Sequence, residues 1–508
     1  TRPNALAVNL YNHIITEETW AKQRSEFGYR DITPCPLVHN FCAQPYVDCR
    51  ASINSFIPGD LTEDCASRLV DAYLDILKEN PNLHDKLELD IVFTIWVPTF
   101  REDAKKRFKN RNVTDLDVIE LEQALKKLTA NALSRLDKDT SSINELTKRF
   151  ELLNKSDLNA TDKIYQLIED CRNFGTLAFS HAARAGFVAV TMLKSLVKTG
   201  CLSQDRMLEF QASIPTVASE FQSALANHNI STDDLIKQFG HLRPGTYDIN
   251  QSAYWEDLSF YFVRGKQQRL DKDNCEHDFA FTSEERQGLK EVLKQLSVEL
   301  EVDDFIEYMS KSIQARESVK FNFTRNLSVA LDLTIHYGME TLGLTREDVG
   351  FLTFDDIRAI RTGQLNERLL PEFVKLRKAD FSEQQLAKLP YFISRDEDFF
   401  GFEQQRSEAN FITRLKIVGD LVFIKSDQSK AIKSKIIIIP NADPGFDWIF
   451  SHDIAGLITQ YGGANSHMAI RCAELGIPAA IGIGDKLYEG LHEGRLMLDC
   501  QKGCFEYV

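Results

Sequence analysis

The stretch Ile454-Ala-Gly-Leu-Ile-Thr-Gln-Tyr-Gly-Gly-Ala-Asn-Ser-His-Met-Ala-Ile470 carries a single histidine, His467, where a glycine turn meets a helix. Ile454, Leu457 and Ile458 read as a buried strand. Gly462 and Gly463 turn the chain, and Ser466 is placed to cap a helix starting near His467. A helix start presents unpaired N–H groups and the positive end of a macrodipole, which suits an anion such as phosphate. A histidine there can carry a phosphoryl group. The plainer alternative is a capped helix with an incidental surface histidine.

Downstream, Ala473-Glu-Leu-Gly-Ile-Pro-Ala-Ala-Ile-Gly-Ile-Gly484 completes a longer pattern. Gly462-Gly463, Ser466-His467, Glu474-Leu-Gly-Ile-Pro-Ala479 and Gly482, with Thr459 and Asp443-Pro-Gly445 upstream, resemble the phosphohistidine "swivelling" domain of phosphoenolpyruvate-utilising enzymes. The resemblance implies that His467 is the catalytic carrier. It implies phosphate contacts from Gly462, Gly463, Ser466, Thr459 and Arg471. The sequence departs from the dikinase pattern at one point: the arginine usual six residues after the histidine is Ala473 here, and Arg471 lies four after it.

The bulk composition fits a soluble, cytoplasmic globular protein. A chain of 508 residues implies two to four domains, and 43% hydrophobic with 27% charged residues is ordinary for globular protein. A net charge of −15 argues against a broad nucleic-acid or anionic-membrane surface. No apolar run reads as long enough to span a membrane, and Thr1-Arg-Pro-Asn4 is no signal peptide. The ten cysteines lack paired metal spacing, so free thiols and no metal site are expected. The opening residues, without initiator methionine or polar lead-in, read as a chain cut from something longer.

The expected fold is multidomain α+β: a mostly helical domain followed by a compact α/β domain. Residues 1–100 read as mixed α/β. Pro45 to Pro58 alternates like a strand, a helix runs from about Thr62 to Asn80-Pro81, and Leu87 to Val97 reads as a strand. Residues 101–395 read as mainly helical, with Leu177 to Val197 a buried central helix and Thr282 with Glu285 a capping box. Residues 396–410 read as a linker. In 411–508, strands are expected at Leu415–Ile424, Lys435–Ile439, Ile454–Thr459, Pro478–Ile483 and Arg495–Leu498. Helices are expected at about Gly445–Phe450 and His467–Leu475.

In the resembling enzymes the histidine domain pivots between an ATP-grasp domain and an acceptor domain. No Walker motif or ATP-grasp glycine loop is visible here, so ATP and Mg2+ are expected on an N-terminal ATP-grasp domain outside this sequence, and no cofactor in the chain itself. Only 41 residues follow His467, far fewer than the about 250 of a pyruvate-binding barrel. The rifampin phosphotransferase order, with a helical acceptor domain before the histidine, fits better.

Two polar segments stand out as acceptor-site candidates. Gly240-His-Leu-Arg-Pro-Gly-Thr-Tyr-Asp248 supplies His241 and Asp248 as candidate bases, with Arg243 and Tyr247 for substrate binding. Asp48-Cys-Arg-Ala-Ser-Ile-Asn-Ser55 supplies Arg50, Asn54 and Ser55. For each, the alternative is a polar turn locked by its own hydrogen bonds. Together with Asn465-Ser-His-Met-Ala-Ile-Arg471, the first segment looks most like the L-glutamine kinase branch. That resemblance implies phosphoryl transfer from ATP through histidine to the amide nitrogen of glutamine, with AMP and phosphate released, in capsular phosphoramidate synthesis. A rifampin-type hydroxyl phosphotransferase and a non-catalytic phosphorelay protein are the alternatives.

Overall fold

A computed structural model describes residues 2–84, 86–262, 279–401, 409–424, 432–463 and 466–508. The chain divides into two compact units. One comprises Thr1–Thr216 with Glu276–Phe402, the other Val217–Cys275 with Glu403–Val508.

The first unit is helical. Its centre pairs helix Leu177–Lys198 with the 35-residue helix Val302–His336. Small residues let these backbones approach: a Cβ on Gly186 would lie 3.3 Å from the Ser312 carbonyl oxygen, and one on Gly175 would lie 2.7 Å from Phe323 Cβ. The continuous helical stretch Ala160–Lys198 is, by length and composition, apolar enough to cross a bilayer, which the sequence reading did not anticipate. Most of its apolar window is buried inside the protein, as in the core helix of a soluble fold. Helix Glu63–Glu79 buries Cys65, Leu69, Tyr73, Ile76 and Leu77 on one face and stops before Pro81. Capping boxes start helices Asp115–Ala132 at Thr114 and Ser283–Leu296 at Thr282.

Two strand expectations fail in this unit. Of Pro45–Pro58, only its first residues are extended, in a hairpin of β1 (Val38–Phe41) with β2 (Gln44–Val47). Asp48 then caps helix Cys49–Asn54 by accepting from the Ala51 N–H at 2.9 Å, and that cap outweighs the alternation. Leu87–Val97 forms a π-helical turn, Leu87–Ile91, and then an irregular run that pairs with no strand among the described residues. Its backbone is satisfied by helix side chains instead. The Phe93 N–H donates to Tyr73 Oη at 3.3 Å and the Trp96 N–H to Thr129 Oγ1 at 2.9 Å.

The second unit holds a mixed seven-stranded sheet, order β3-β7-β6-β5-β4-β8-β9. The strands are β3 (Asn410–Ile412), β4 (Lys416–Phe423), β5 (Ile436–Asn441), β6 (Gly456–Tyr461), β7 (Ala479–Ile481), β8 (Arg495–Asp499) and β9 (Cys504–Tyr507). β4, β5, β6 and β7 run parallel, and β3, β8 and β9 add antiparallel edges. Ile436 to Ile439 are fully buried, as a central parallel strand covered on both faces requires. The five expected strands are all present, and β3 and β9 are additional. Residues 217–262, expected within the helical region, group with this sheet as short helices Val217–Ala226 and Thr232–Phe239 and the turns that follow. The expected 396–410 linker lies partly outside the described residues; its described part includes the turn Asp396–Phe399. Nine cysteines among the described residues are free thiols.

Candidate functional site

At the C-terminal end of β6 the chain turns through Gly462 and Gly463 and re-enters as helix His467–Glu474. Ala464 and Asn465 lie outside the described residues. The turn tolerates little beyond glycine at two places. Gly462 has φ +135° and its Cβ would meet Ala442 Cβ at 2.6 Å; Gly482 has φ +73° and its Cβ would meet the Gly462 carbonyl oxygen at 2.2 Å. Gly463 has open space around it. The Thr459 hydroxyl, fully buried, accepts from the Gly482 N–H at 3.0 Å and so ties the end of β6 to the end of β7. Ser466 caps the helix through its Oγ, which accepts from the Ala469 N–H at 3.4 Å.

His467 therefore stands at the first helical position, with its side chain 18% exposed. A short tight helix, Pro444–His452, supplies its partner. Asp443 caps that helix by accepting from the Gly445 N–H at 2.7 Å, and Asp447 Oδ1 lies 2.8 Å from His467 Nε2. Arg471, one turn beyond His467, puts Nε 3.8 Å from the same oxygen and its guanidinium 5.9 Å from the Phe450 ring centre. Burial pushes the Asp447 carboxyl up, but His467 and Arg471 outweigh it and hold the group below its ordinary value.

This geometry has chemical consequences. A neutral imidazole bonded through Nε2 to an ionised carboxylate carries its proton there and its lone pair on Nδ1. A phosphoryl group on Nε2 would bring anionic oxygens against Asp447, so transfer through that nitrogen requires the 2.8 Å contact to open. Transfer through Nδ1 leaves it closed. Arg471 is positioned to offset the charge of the carboxylate or of an incoming phosphoryl group.

The 240–248 segment lies in the same unit as His467. It runs along the tight helix so closely that a Cβ on Gly445 would lie 2.3 Å from the Arg243 carbonyl oxygen. Tyr254 Oη donates to the Gly445 carbonyl at 3.0 Å, and Tyr261 meets Trp448 edge to face at 5.6 Å. Arg243 is buried; its Nη1 donates to the Gln251 carbonyl and lies 3.6 Å from Glu256. His241 is buried as well, whereas Tyr247 and Asp248 are half-buried. Asp248 Oδ1 accepts from the Asn250 N–H at 3.0 Å, the internal bond of a polar turn.

Arg50, Asn54 and Ser55 belong to the helical unit. Arg50 is exposed and faces Asp71 at 3.5 Å. Asn54 donates to the Arg50 carbonyl at 2.9 Å, and Ser55 is buried and accepts from Arg24. Asp447 escaped the sequence reading. Its signal was a lone carboxylate in the apolar run Phe446-Asp-Trp-Ile-Phe450, because a buried charge in such a run needs a partner.

Residues 432–503 match the family model described as the PEP-utilising enzyme, mobile domain. The chain is also similar to rifampicin phosphotransferases of Bacillus subtilis (strain 168), 24% identical over 147 residues, and of Streptomyces sviceus, 26% identical over 152 residues. Each match covers 27% of this chain and 16% of the relative, so the chain spans well under two thirds of either. The glycine turn, the capped helix and His467 all fall inside the matched family segment, and residues 432–503 of this chain belong to the mobile-domain family of PEP-utilising enzymes.

Proposed function

We propose that the chain is part of a phosphotransferase in which His467 carries a phosphoryl group from ATP to a small acceptor. The supporting observation is the ring itself: His467 opens a capped helix, is partly exposed, and has Asp447 at 2.8 Å from Nε2. In the loading step the imidazole and one water convert ATP to AMP and phosphate and leave one phosphoryl group on nitrogen. An ATP-grasp domain holding ATP and Mg2+ performs the loading. In the second step the N–P bond breaks as the acceptor attacks, restoring the neutral ring. Gly462, Gly463 and the capped helix start stabilise the anionic oxygens, with Arg471 as counter-charge.

The proposed acceptor is the side-chain amide of L-glutamine, giving L-glutamine phosphate for capsular phosphoramidate. An amide nitrogen is a weak nucleophile, so its proton must go to a base; Asp248, half-buried in the same unit, is the first candidate. His241 and Arg243 serve by holding the 240–256 turn along Pro444–His452. The names of the two relatives favour a second reading, in which a hydroxyl of a rifampicin-like antibiotic is the acceptor.

Loading the chain chemically with phosphoramidate, then adding L-glutamine or rifampicin and following phosphorus NMR, separates these. Glutamine-dependent loss of the histidine signal with a new P–N product supports the first reading. A new phosphate ester with rifampicin supports the second. Indifference to both overturns both and points to a relay protein.

A further inference from the structure

The partner of His467 is a buried negative charge, and orientation alone does not call for one. Asp447 lies within the tight helix Pro444–His452, with Oδ1 2.8 Å from His467 Nε2. Arg471 Nε is 3.8 Å from the same oxygen. Tyr254, from the 240–262 stretch, and Cys472, from the histidine helix, lie close enough to feel this carboxylate. Burial lifts both far above the neutral range, so neither carries charge there. His467 and Arg471 hold Asp447 below the ordinary carboxylate range, so it is ionised at neutral pH. A backbone carbonyl would fix the ring's tautomer and orientation equally well, without the desolvation of a buried ion.

The charge acts on the loaded ring. With the phosphoryl group on Nδ1, the 2.8 Å contact stays closed and Asp447 favours a proton on Nε2. The ring is then a phosphoimidazolium, whose N–P bond breaks readily because neutral imidazole leaves. With the phosphoryl group on Nε2, the carboxylate is instead forced beside anionic oxygens, in a buried place where like charges are poorly screened. Transfer relieves that repulsion. On either nitrogen, then, the carboxylate favours breaking the N–P bond. The electron pair of that bond returns to the ring nitrogen, phosphorus takes the attacking atom, and the acceptor's proton goes to a base. When water attacks, its protons end on the phosphate and the ring.

We propose that Asp447 is a positioning residue for the delivery step: its charge, held against His467, shortens the life of the phosphohistidine and drives the phosphoryl group toward an acceptor. This rests on His467 being the carrier.

The test loads the whole chain, Asp447→Asn and Asp447→Ser with phosphoramidate, removes the reagent, and follows the N–P signal by phosphorus NMR without acceptor. Circular dichroism confirms that each chain is folded. The half-life at pH 8 is expected to be about tenfold or more longer in both variants. The difference should shrink as pH falls, because the ring then protonates unaided and Asp447 approaches its own protonation. A merely structural role would give a change independent of pH. Equal or shorter half-lives in both folded variants, or a pH-independent difference, overturn the proposal and leave His467 as carrier. Failure of both folded variants to take up label overturns it too, since Asp447 would then serve loading. No acid-labile label on the parent chain ends the proposal and the phosphotransfer reading together.

Discussion

At His467 the ring shares one carboxylate oxygen with Arg471, and Asp447 carries the consequences for stability. Its carboxyl is held below the ordinary value near 4. The sign follows from linkage: a depressed folded-state pKa stabilises the fold at pH above the unfolded value, and that contribution disappears as pH falls through the folded value. Asp447→Asn is therefore expected to cost about 1–3 kcal/mol near neutral pH, with the gap to the parent chain narrowing in acid. Denaturant melts from neutral to acid pH check this; a pH-independent gap contradicts it. The glycines give a sharper contrast. Gly482→Ala, at positive φ with the Gly462 carbonyl in the way, should lose about 2 kcal/mol or more, while Gly463→Ala should stay within about 0.5 kcal/mol. Thermal melts of the two variants decide. Sequence alone exposed His467, Ser466 and the glycine turn, because cap and turn chemistry are local. It did not single out Asp447, because four positions of spacing within one apolar helix say nothing about which neighbour the carboxylate meets.

Among the elements, helices announced themselves through caps and stops: Thr282 and Asn80-Pro81 both mark boundaries that the fold uses. Leu87–Val97 has the apolar, β-branched content of a strand, yet the Phe93 and Trp96 N–H groups are taken by Tyr73 and Thr129 from two helices. That explanation has its own test. Thr129→Val keeps the shape but removes the buried acceptor of the Trp96 N–H, and should destabilise the helical unit by about 1–3 kcal/mol, read by urea unfolding. No loss would mean that the segment is held by packing alone. On the histidine helix, Ser466→Ala should cost about 0.5–1 kcal/mol and speed amide exchange in the first turn, since its 3.4 Å bond is a long one.

At the scale of the molecule, the unit that holds His467 is assembled from two separated stretches of chain, 217–275 and 403–508. Trp448 is fully buried, and its edge-to-face partner Tyr261 comes from the first stretch. The sequence showed the sheet, through five apolar strand segments, but not this partnership, which depends on a backbone approach at Gly445 that no local pattern encodes. Residues 403–508 expressed alone should therefore melt lower, and show poorer amide dispersion by NMR, than the same stretch joined to 217–275. Equal stability would remove the 217–275 stretch from the unit.

The central claim is that one imidazole is a transient phosphoryl carrier. Treating the whole chain with phosphoramidate and measuring intact mass and phosphorus NMR tests it most directly. A single acid-labile, base-stable phosphoryl group mapped to His467, and absent in His467→Asn, is the predicted result. Undiminished labelling of His467→Asn, or no labelling of the parent chain at all, would contradict it.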